Sequence, residues 1–311
     1  MNKQITNSVL MIRPVQFRMN EQTAVNNYYQ KKIKDLKPVE VNRLAAQEFD
    51  ALVDKLRSVG IHVIVVNDTK EFDTPDSIFP NNWISFHHNG TAALYPMFAE
   101  NRRYERKESI LEAVEQNGFF IEHIIDYSAA EQEEVFLEGT GSIILDRENR
   151  KAYCALSPRA DEALFIEFCE DFEYTPVSFI ANQTVNGKRL PIYHTNVMMC
   201  VADTFVVICL DTIDDEAERE HVLEALTETG KEIIEITEAQ KHRFAGNMLQ
   251  VMGDKPYLVM SNSAYSSLTE EQKIDIEKHC PILYSSLDTI EACGGGSARC
   301  MMAEIFLPKQ K

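Results

Sequence analysis

The sequence predicts an α/β fold assembled from five copies of one strand–turn–strand–helix–strand unit. Two observations carry that expectation. Five polar residues, Asn82, Glu138, His194, Asn247 and Cys300, recur at intervals of 56, 56, 53 and 53 positions. Each is followed by the same succession of apolar run, turn, apolar run, helical stretch and apolar run. Self-similarity at a fixed period marks a repeat architecture, and it makes the five residues equivalent positions of one ring.

The units read as follows. NNWISFHHNGTAALYP is a hairpin turning at Asn89-Gly90, RYERKESILEAVEQNG a helix stopped by Gly118, and FFIEHIID a strand. GSIILDRENRKAYCALS, ADEALFIEFCEDF and TPVSFIAN repeat the order, as do HTNVMMCVADTFVVICL, DDEAEREHVLEALTETG and KEIIEIT, then NMLQVMGDKPYLVMS, TEEQKIDIEKH and PILYSS. The fifth unit is split between the termini. Its first strand is RCMMAEIFLP, which would pair with SVLMIRPVQF ahead of the helix VEVNRLAAQEFDALVDKLRSVG and the strand IHVIVV, closing the ring like a clasp. In that helix Val41, Leu44, Ala45, Leu52, Val53, Leu56 and Val59 fall on one face at helical period, whereas IHVIVV and TFVVICL are short β-branched runs.

No Pro/Gly/Ser-rich linker divides the 311 residues, so one domain, 1–311, is expected. Lys and Arg number 31 against 49 Asp and Glu, a net charge of −18; that repels phosphate backbones and anionic lipid surfaces, so neither nucleic acid nor membrane is an expected partner. The N-terminal MNKQITNSVL lacks an apolar signal core, and the expected location is the cytoplasm. A homo-oligomer is compatible with this composition. Seven cysteines without CxxC spacing point to reduced thiols rather than a disulfide framework or zinc knuckle. The adjacent His87 and His88 would face opposite sides of a strand, which is poor metal geometry, and no metal is expected. The run Gly294 to Gly296 lacks the Lys-Ser/Thr of a phosphate loop, so no cofactor is implied.

Cys154, Cys200 and Cys209 lie in apolar runs and read as buried small hydrophobes. Cys300 differs because it follows Gly294-Gly295-Gly296-Ser297-Ala298-Arg299, where backbone and ligand can approach closely. Thiolate is the reactive form of cysteine, favoured by a neighbouring cation; Arg299 and His194 are available for that part. Taken alone, His194 is an ordinary strand histidine. Its ring position shared with Cys300 and Glu138 instead suggests nucleophile, base and orienting carboxylate. Cys293, across the same glycines but off the ring, is the rival nucleophile. Arg102 and Arg103 in ENRRYER and Arg159 in LSPRAD suit a substrate carboxylate, and Asp76 could hold an ammonium or amidine. The segment NEQTAVNNYYQ, residues 20–30, reads as a polar loop, with a lid as the alternative.

With PDSIFPNNW, ENRRYERK, LEGTGS, LSPRAD, PIYHTNVMM and GGGSARCMM in this order, the chain resembles the guanidino-group-modifying enzymes, the pentein superfamily of arginine deiminase, dimethylargininase and the amidinotransferases. Among its members the chain looks most like the bacterial citrulline-utilisation hydrolases. The resemblance implies a five-bladed α/β propeller of ββαβ modules with pseudo-fivefold symmetry. It implies Cys300 as nucleophile, His194 as general acid/base and Glu138 as its acidic neighbour. Arg103 and Arg159 match arginines that bind the substrate α-carboxylate, Arg102 is a further candidate, and Asp76 matches an acidic substrate-binding position.

Members that grip guanidinium commonly carry carboxylates where this chain has Asn82 and Asn196; a shift of one in the first motif compares Asn81, again an amide. An amide offers both a donor and an acceptor rather than a negative charge. The expected substrate is therefore a small amino acid with a neutral ureido group, citrulline, converted to ornithine, carbon dioxide and ammonia. The alternatives are an arginine deiminase or dimethylargininase, an amidinotransferase, and a non-catalytic pentein-fold binding protein. Asn247 has no chemical role at this level.

Overall fold

The computed structural model describes residues 3–34 and 36–310. Positions 1, 2, 35 and 311, which the single-domain expectation includes, lie outside the described residues. Five three-stranded sheets share one topology, each with an antiparallel first pair and a parallel second pair. They comprise Ile84–Phe86, Thr91–Leu94 and His123–Asp126; Ile143–Asp146, Lys151–Ala155 and Thr175–Phe179; Met199–Val201, Phe205–Ile208 and Glu232–Glu235; and Leu249–Met252, Pro256–Ser261 and Ile282–Ser285. The fifth joins the two ends of the chain: Ala303–Glu304 pairs antiparallel with Ser8–Arg13, which pairs parallel with His62–Asn67.

The parallel second pair of each sheet requires a crossover, and a helix supplies it. The longest, Pro38–Ser58, buries Val41, Ala45, Ala46, Phe49, Leu52, Val53 and Leu56. Phe49 joins the expected apolar face, whereas Leu44 and Val59 stop half-buried at its edge. The first unit departs from expectation: its helix is Glu108–Gln116, with a separate turn at Glu100–Arg103. The intervening charges do not face solvent. Arg102 turns inward to Glu105, and Arg106 Nη1 donates to Tyr95 O at 3.0 Å and to Glu131. A two-stranded hairpin, Asn182–Val185 with Lys188–Pro191, interrupts the repeat ahead of His194; its Asn186-Gly187 corner has positive φ at both residues, the geometry of a type I′ turn.

The five ring residues do not open strands directly. Asn82 ends the turn Pro80–Asn82, Glu138 and His194 immediately precede the turns Gly139–Ser142 and Thr195–Val197, and Cys300 lies within Ala298–Met301. These turns touch in succession. Thr140 Oγ1 donates to Asn81 O at 3.3 Å, Thr195 Oγ1 to Ser142 O at 2.5 Å, and Asn247 Nδ2 to Asn196 O at 2.9 Å. Arg299 N then donates to Asn247 Oδ1 at 3.1 Å, and the glycines before Cys300 pack on the ring of Phe79, back in the first unit. Among the described residues, no helix is long and apolar enough to cross a membrane.

Candidate active site

All five ring side chains are buried, and four of them form two hydrogen-bonded groups. In the first, His194 Nε2 donates to Glu138 Oε2 at 2.7 Å. The other carboxylate oxygen accepts the Phe98 N–H at 3.0 Å, and Arg159 Nη1 approaches Oε2 at 3.4 Å. Burial alone would raise the Glu138 carboxyl; Arg159, His194 and Arg102 reverse this and hold it well below the usual carboxylate range. Burial dominates at His194, lowering it to about 4 despite the opposing pull of Glu138. A proton on Nε2, directed at Glu138, leaves the lone pair of Nδ1 free to accept.

The second group surrounds the thiol. Asn196 Nδ2 lies 3.4 Å and Asn247 Nδ2 3.3 Å from Cys300 Sγ. Asn82 completes this neutral side, its Oδ1 accepting from Arg102 Nη1 at 2.7 Å and its Nδ2 donating to Asn81 Oδ1 at 3.0 Å. Asn196 Oδ1 is buried with no hydrogen-bond partner among the described residues. The expectation that Arg299 assists the thiol fails. Its guanidinium is turned away, donating to Met302 O at 2.9 Å and Glu304 Oε2 at 2.7 Å, because a buried guanidinium seeks a carboxylate partner.

Glycine lets these pieces approach. A Cβ on Gly141 would lie 2.4 Å from Asn82 Nδ2 and 2.8 Å from His194 Nδ1, so the second glycine of LEGTGS leaves room for both side chains. Gly295 has φ +62, and a Cβ there would meet the Asn27 amide at 2.6 Å.

Cys300, His194, Asn82, Asp76, Arg102 and Arg159 line one cavity. Arg103 does not join them: its Nε donates to Met97 O at 3.1 Å, and its side chain lies 3.5 Å from Glu131. Arg102 takes the inward place, bound by Glu105 through two nitrogens at 2.9 Å each. Asp76 Oδ2 accepts from Asn20 at 2.9 Å and Thr23 at 3.0 Å, while Oδ1 has no partner among the described residues; burial pushes this carboxyl upward against Arg102 and those donors. Cys293 is absent from the cavity lining, and burial raises its thiol, as it does at Cys169, Cys200 and Cys209, each pushed up to about 12.

Segment 20–30 covers the cavity. Thr23 and Asn27 form part of its wall, Arg159 Nε donates to Asn26 Oδ1 at 2.9 Å and Nη2 to Thr23 O at 2.9 Å, and Gln30 Nε2 reaches Gly294 O at 3.0 Å. The space that remains is no larger than a water molecule. A roomier hollow between His88, Phe119 and Met252 contains no paired nucleophile and base.

Asn247 is the residue whose chemistry the sequence left blank. Its interval marked the position, but only the folded chain shows what its amide touches.

The family model described as N,N dimethylarginine dimethylhydrolase, eukaryotic, matches residues 13–307. No curated protein matches the chain. Among solved structures, apo ArgZ, an arginine dihydrolase from the ornithine–ammonia cycle in cyanobacteria, superposes with a TM-score of 0.74 at 18% identity, over 97% of this chain and 41% of ArgZ. An AgrE variant in complex with L-arginine gives 0.74 at 17% identity, over 98% of this chain and 41% of AgrE. The chain therefore spans well under half the length of these two relatives. A dimethylarginine dimethylaminohydrolase variant carrying an S-methyl-L-thiocitrulline adduct gives 0.66 at 14% identity, over 98% and 100% of the respective chains. Likeness at these identities speaks for a shared α/β fold.

Proposed function

Because the chain belongs to the N,N-dimethylarginine dimethylhydrolase family of guanidino-group-modifying, or pentein, enzymes, we propose that it is a cysteine-dependent hydrolase of C–N bonds in an arginine-like amino acid, with citrulline as its substrate. The observation that carries this reading is the composition of the Cys300 cavity. A thiol approached by two amide donors faces the same space as a histidine whose second nitrogen is held by a carboxylate.

His194 Nδ1 takes the Cys300 proton, and the sulfur lone pair adds to the ureido carbon, its C=O electrons moving onto oxygen. As the carbonyl re-forms, an amine leaves with the proton from His194. Water, deprotonated by the same nitrogen, then cleaves the S–C bond and returns the thiolate. Citrulline and one water thus yield ornithine and carbamic acid, which separates into carbon dioxide and ammonia; the sum is the same whichever amine leaves first.

Selection of ureido over guanidinium rests on Asn82 and Asn196. Asn196 Oδ1, without a partner among the described residues, would accept a ureido N–H without contributing the negative charge that a carboxylate at that position would. Asp76 does not discriminate, since its free oxygen would serve the α-ammonium common to citrulline and arginine. Arg159 would take the α-carboxylate once segment 20–30 withdraws Asn26 and Thr23. We further propose that the five units are blades of one closed α/β propeller domain; its support is the succession of contacts from Asn81 through Ser142, Asn196 and Asn247 back to Phe79.

Initial rates on citrulline, arginine and N,N-dimethylarginine, with ornithine, citrulline and ammonia measured separately, test this reading. Citrulline consumed to ornithine and ammonia is expected. Arginine or its dimethylated form turned over much faster than citrulline would overturn the choice of substrate.

A further inference from the structure

Asn247 is fully buried, and its amide is divided three ways. Oδ1 accepts the Arg299 N–H at 3.1 Å, while Nδ2 donates to Asn196 O at 2.9 Å and to Cys300 Sγ at 3.3 Å. An amide nitrogen carries two hydrogens, so the sulfur contact does not compete with the carbonyl contact. Asn196 Nδ2 reaches the same sulfur from a neighbouring turn, at 3.4 Å. The sulfur therefore sits between two neutral donors from two different repeat units.

Among the described residues, no cation takes their place. Arg299 is paired with Glu304, Arg102 with Glu105, and Arg159 with Glu138 and Asn26. We propose that Asn247 is a catalytic residue which, together with Asn196, receives the Cys300 sulfur as a thiolate. This rests on reading Cys300 as the nucleophile. A hydrogen bond to an ionised acceptor is roughly twice as strong as one between neutral partners, so each donor favours the thiolate over the thiol by the difference. Amides do this without adding a permanent cation to a closed cavity, where an ion must be desolvated. The proton given up passes to His194 Nδ1, so the net charge of the site does not change. A merely structural Asn247 would need only Oδ1, to hold the turn bearing Cys300, and one hydrogen, to hold Asn196 O.

Asn247→Asp retains the acceptor for Arg299 N and removes both Nδ2 contacts, to the sulfur and to Asn196 O, while its carboxylate opposes a thiolate directly. The experiment follows carboxamidomethylation of Cys300 by iodoacetamide against pH, read peptide by peptide by mass spectrometry, in wild type and variant, with thermal unfolding as the control for folding. The expected result is alkylation about tenfold slower near neutrality in a folded variant, its rise with pH displaced to the alkaline side. An unchanged profile in the folded variant overturns the proposal.

Should the variant not fold, the wild-type protein decides. In 15N-labelled protein the Asn247 side-chain amide protons are expected to titrate over the pH range in which Cys300 alkylation rises, and not in Cys300→Ser; amide protons indifferent to that range sink the idea. Citrulline turnover in Cys300→Ser keeps the two levels distinct. Turnover undiminished there refutes the nucleophile reading and the proposal built on it. Turnover abolished, with alkylation unchanged in Asn247→Asp, refutes the role of Asn247 alone.

Discussion

Glu138 and Cys300 occupy equivalent positions of two repeat units, yet their surroundings are opposite in kind. Glu138 is enclosed by charge, with Arg159 at 3.4 Å, His194 at 2.7 Å and a backbone N–H on its second oxygen. Cys300 is enclosed by amides whose nearest polar atoms are uncharged nitrogens. One side sets a proton's position by fixed charges that are strong in a dry interior. The other, on the proposed reading, would seat the attacking sulfur and a ureido group without attracting a cation. The difference teaches that equivalent positions of one repeat can be given opposite electrostatic surroundings by what the neighbouring units bring to them.

The largest test of this division removes each centre in turn. Cys300→Ser is expected to reduce citrulline turnover by at least about a thousandfold, and His194→Ala by roughly a hundredfold to ten-thousandfold, both measured by ammonia release with the fold checked by circular dichroism. Glu138→Gln attacks the charged side alone. It should slow turnover by roughly a hundredfold or more and lower the unfolding temperature, because Arg159 is left buried beside a neutral amide. Near-normal activity in that variant would mean His194 does not depend on the carboxylate.

The neutral side is tested by restoring charge. Asn82→Asp with Asn196→Asp should shift the citrulline-to-arginine ratio of kcat/KM towards arginine by on the order of tenfold to a hundredfold, the worth of one charged hydrogen bond; a ratio that stays put would show that these amides do not select the substrate. The pH dependence of stability concerns the charged side. Below the ordinary histidine value of 6.5, the unfolded imidazole takes up a proton that folded His194 refuses until about 4. The unfolded state binds more protons across that window, so stability declines as pH falls from 6.5 towards 4, and Glu138 adds a further loss below the normal carboxylate range. Thermal midpoints of wild type and His194→Asn over that window should converge; parallel curves would assign the acid loss to other groups. The smallest effect is expected from Arg103→Ala, with KM within about twofold of wild type because its side chain is held by Met97 O and Glu131, away from the cavity lining. A large rise in KM there would place the substrate carboxylate outside the cavity described.

Much of the fold was legible because a repeat presents the same pattern five times. The spacing that aligned Asn82, Glu138, His194, Asn247 and Cys300 also located the strands behind them, and the split fifth unit followed from the absence of a fifth copy elsewhere in the chain. The short turns that carry the ring residues were not legible. Their helical backbone is imposed by neighbouring turns, as where Thr195 binds Ser142 O or Thr140 binds Asn81 O, and a local pattern does not register such partners. The hairpin at Asn186-Gly187 has a recognisable corner, but it interrupts the repeat, so the periodicity gives no place for it.

At the site, the sequence by itself determined which residues could do chemistry, because residue type sets what a thiol, imidazole, carboxylate or amide can donate and accept. It also determined that the positions compared with guanidinium-binding carboxylates hold amides. Only the tertiary structure decided which way each group faces. Arg102 and Arg103 are adjacent and alike in sequence, yet one lines the cavity and the other turns to Glu131. Arg299 precedes Cys300 in the chain and is drawn away from it by Glu304. Asn247 lies 53 residues from the sulfur it meets at 3.3 Å. The physical reason is common to all three: a side chain's direction follows from the partners that satisfy it once buried, and those partners come from distant repeats that no local reading brings together.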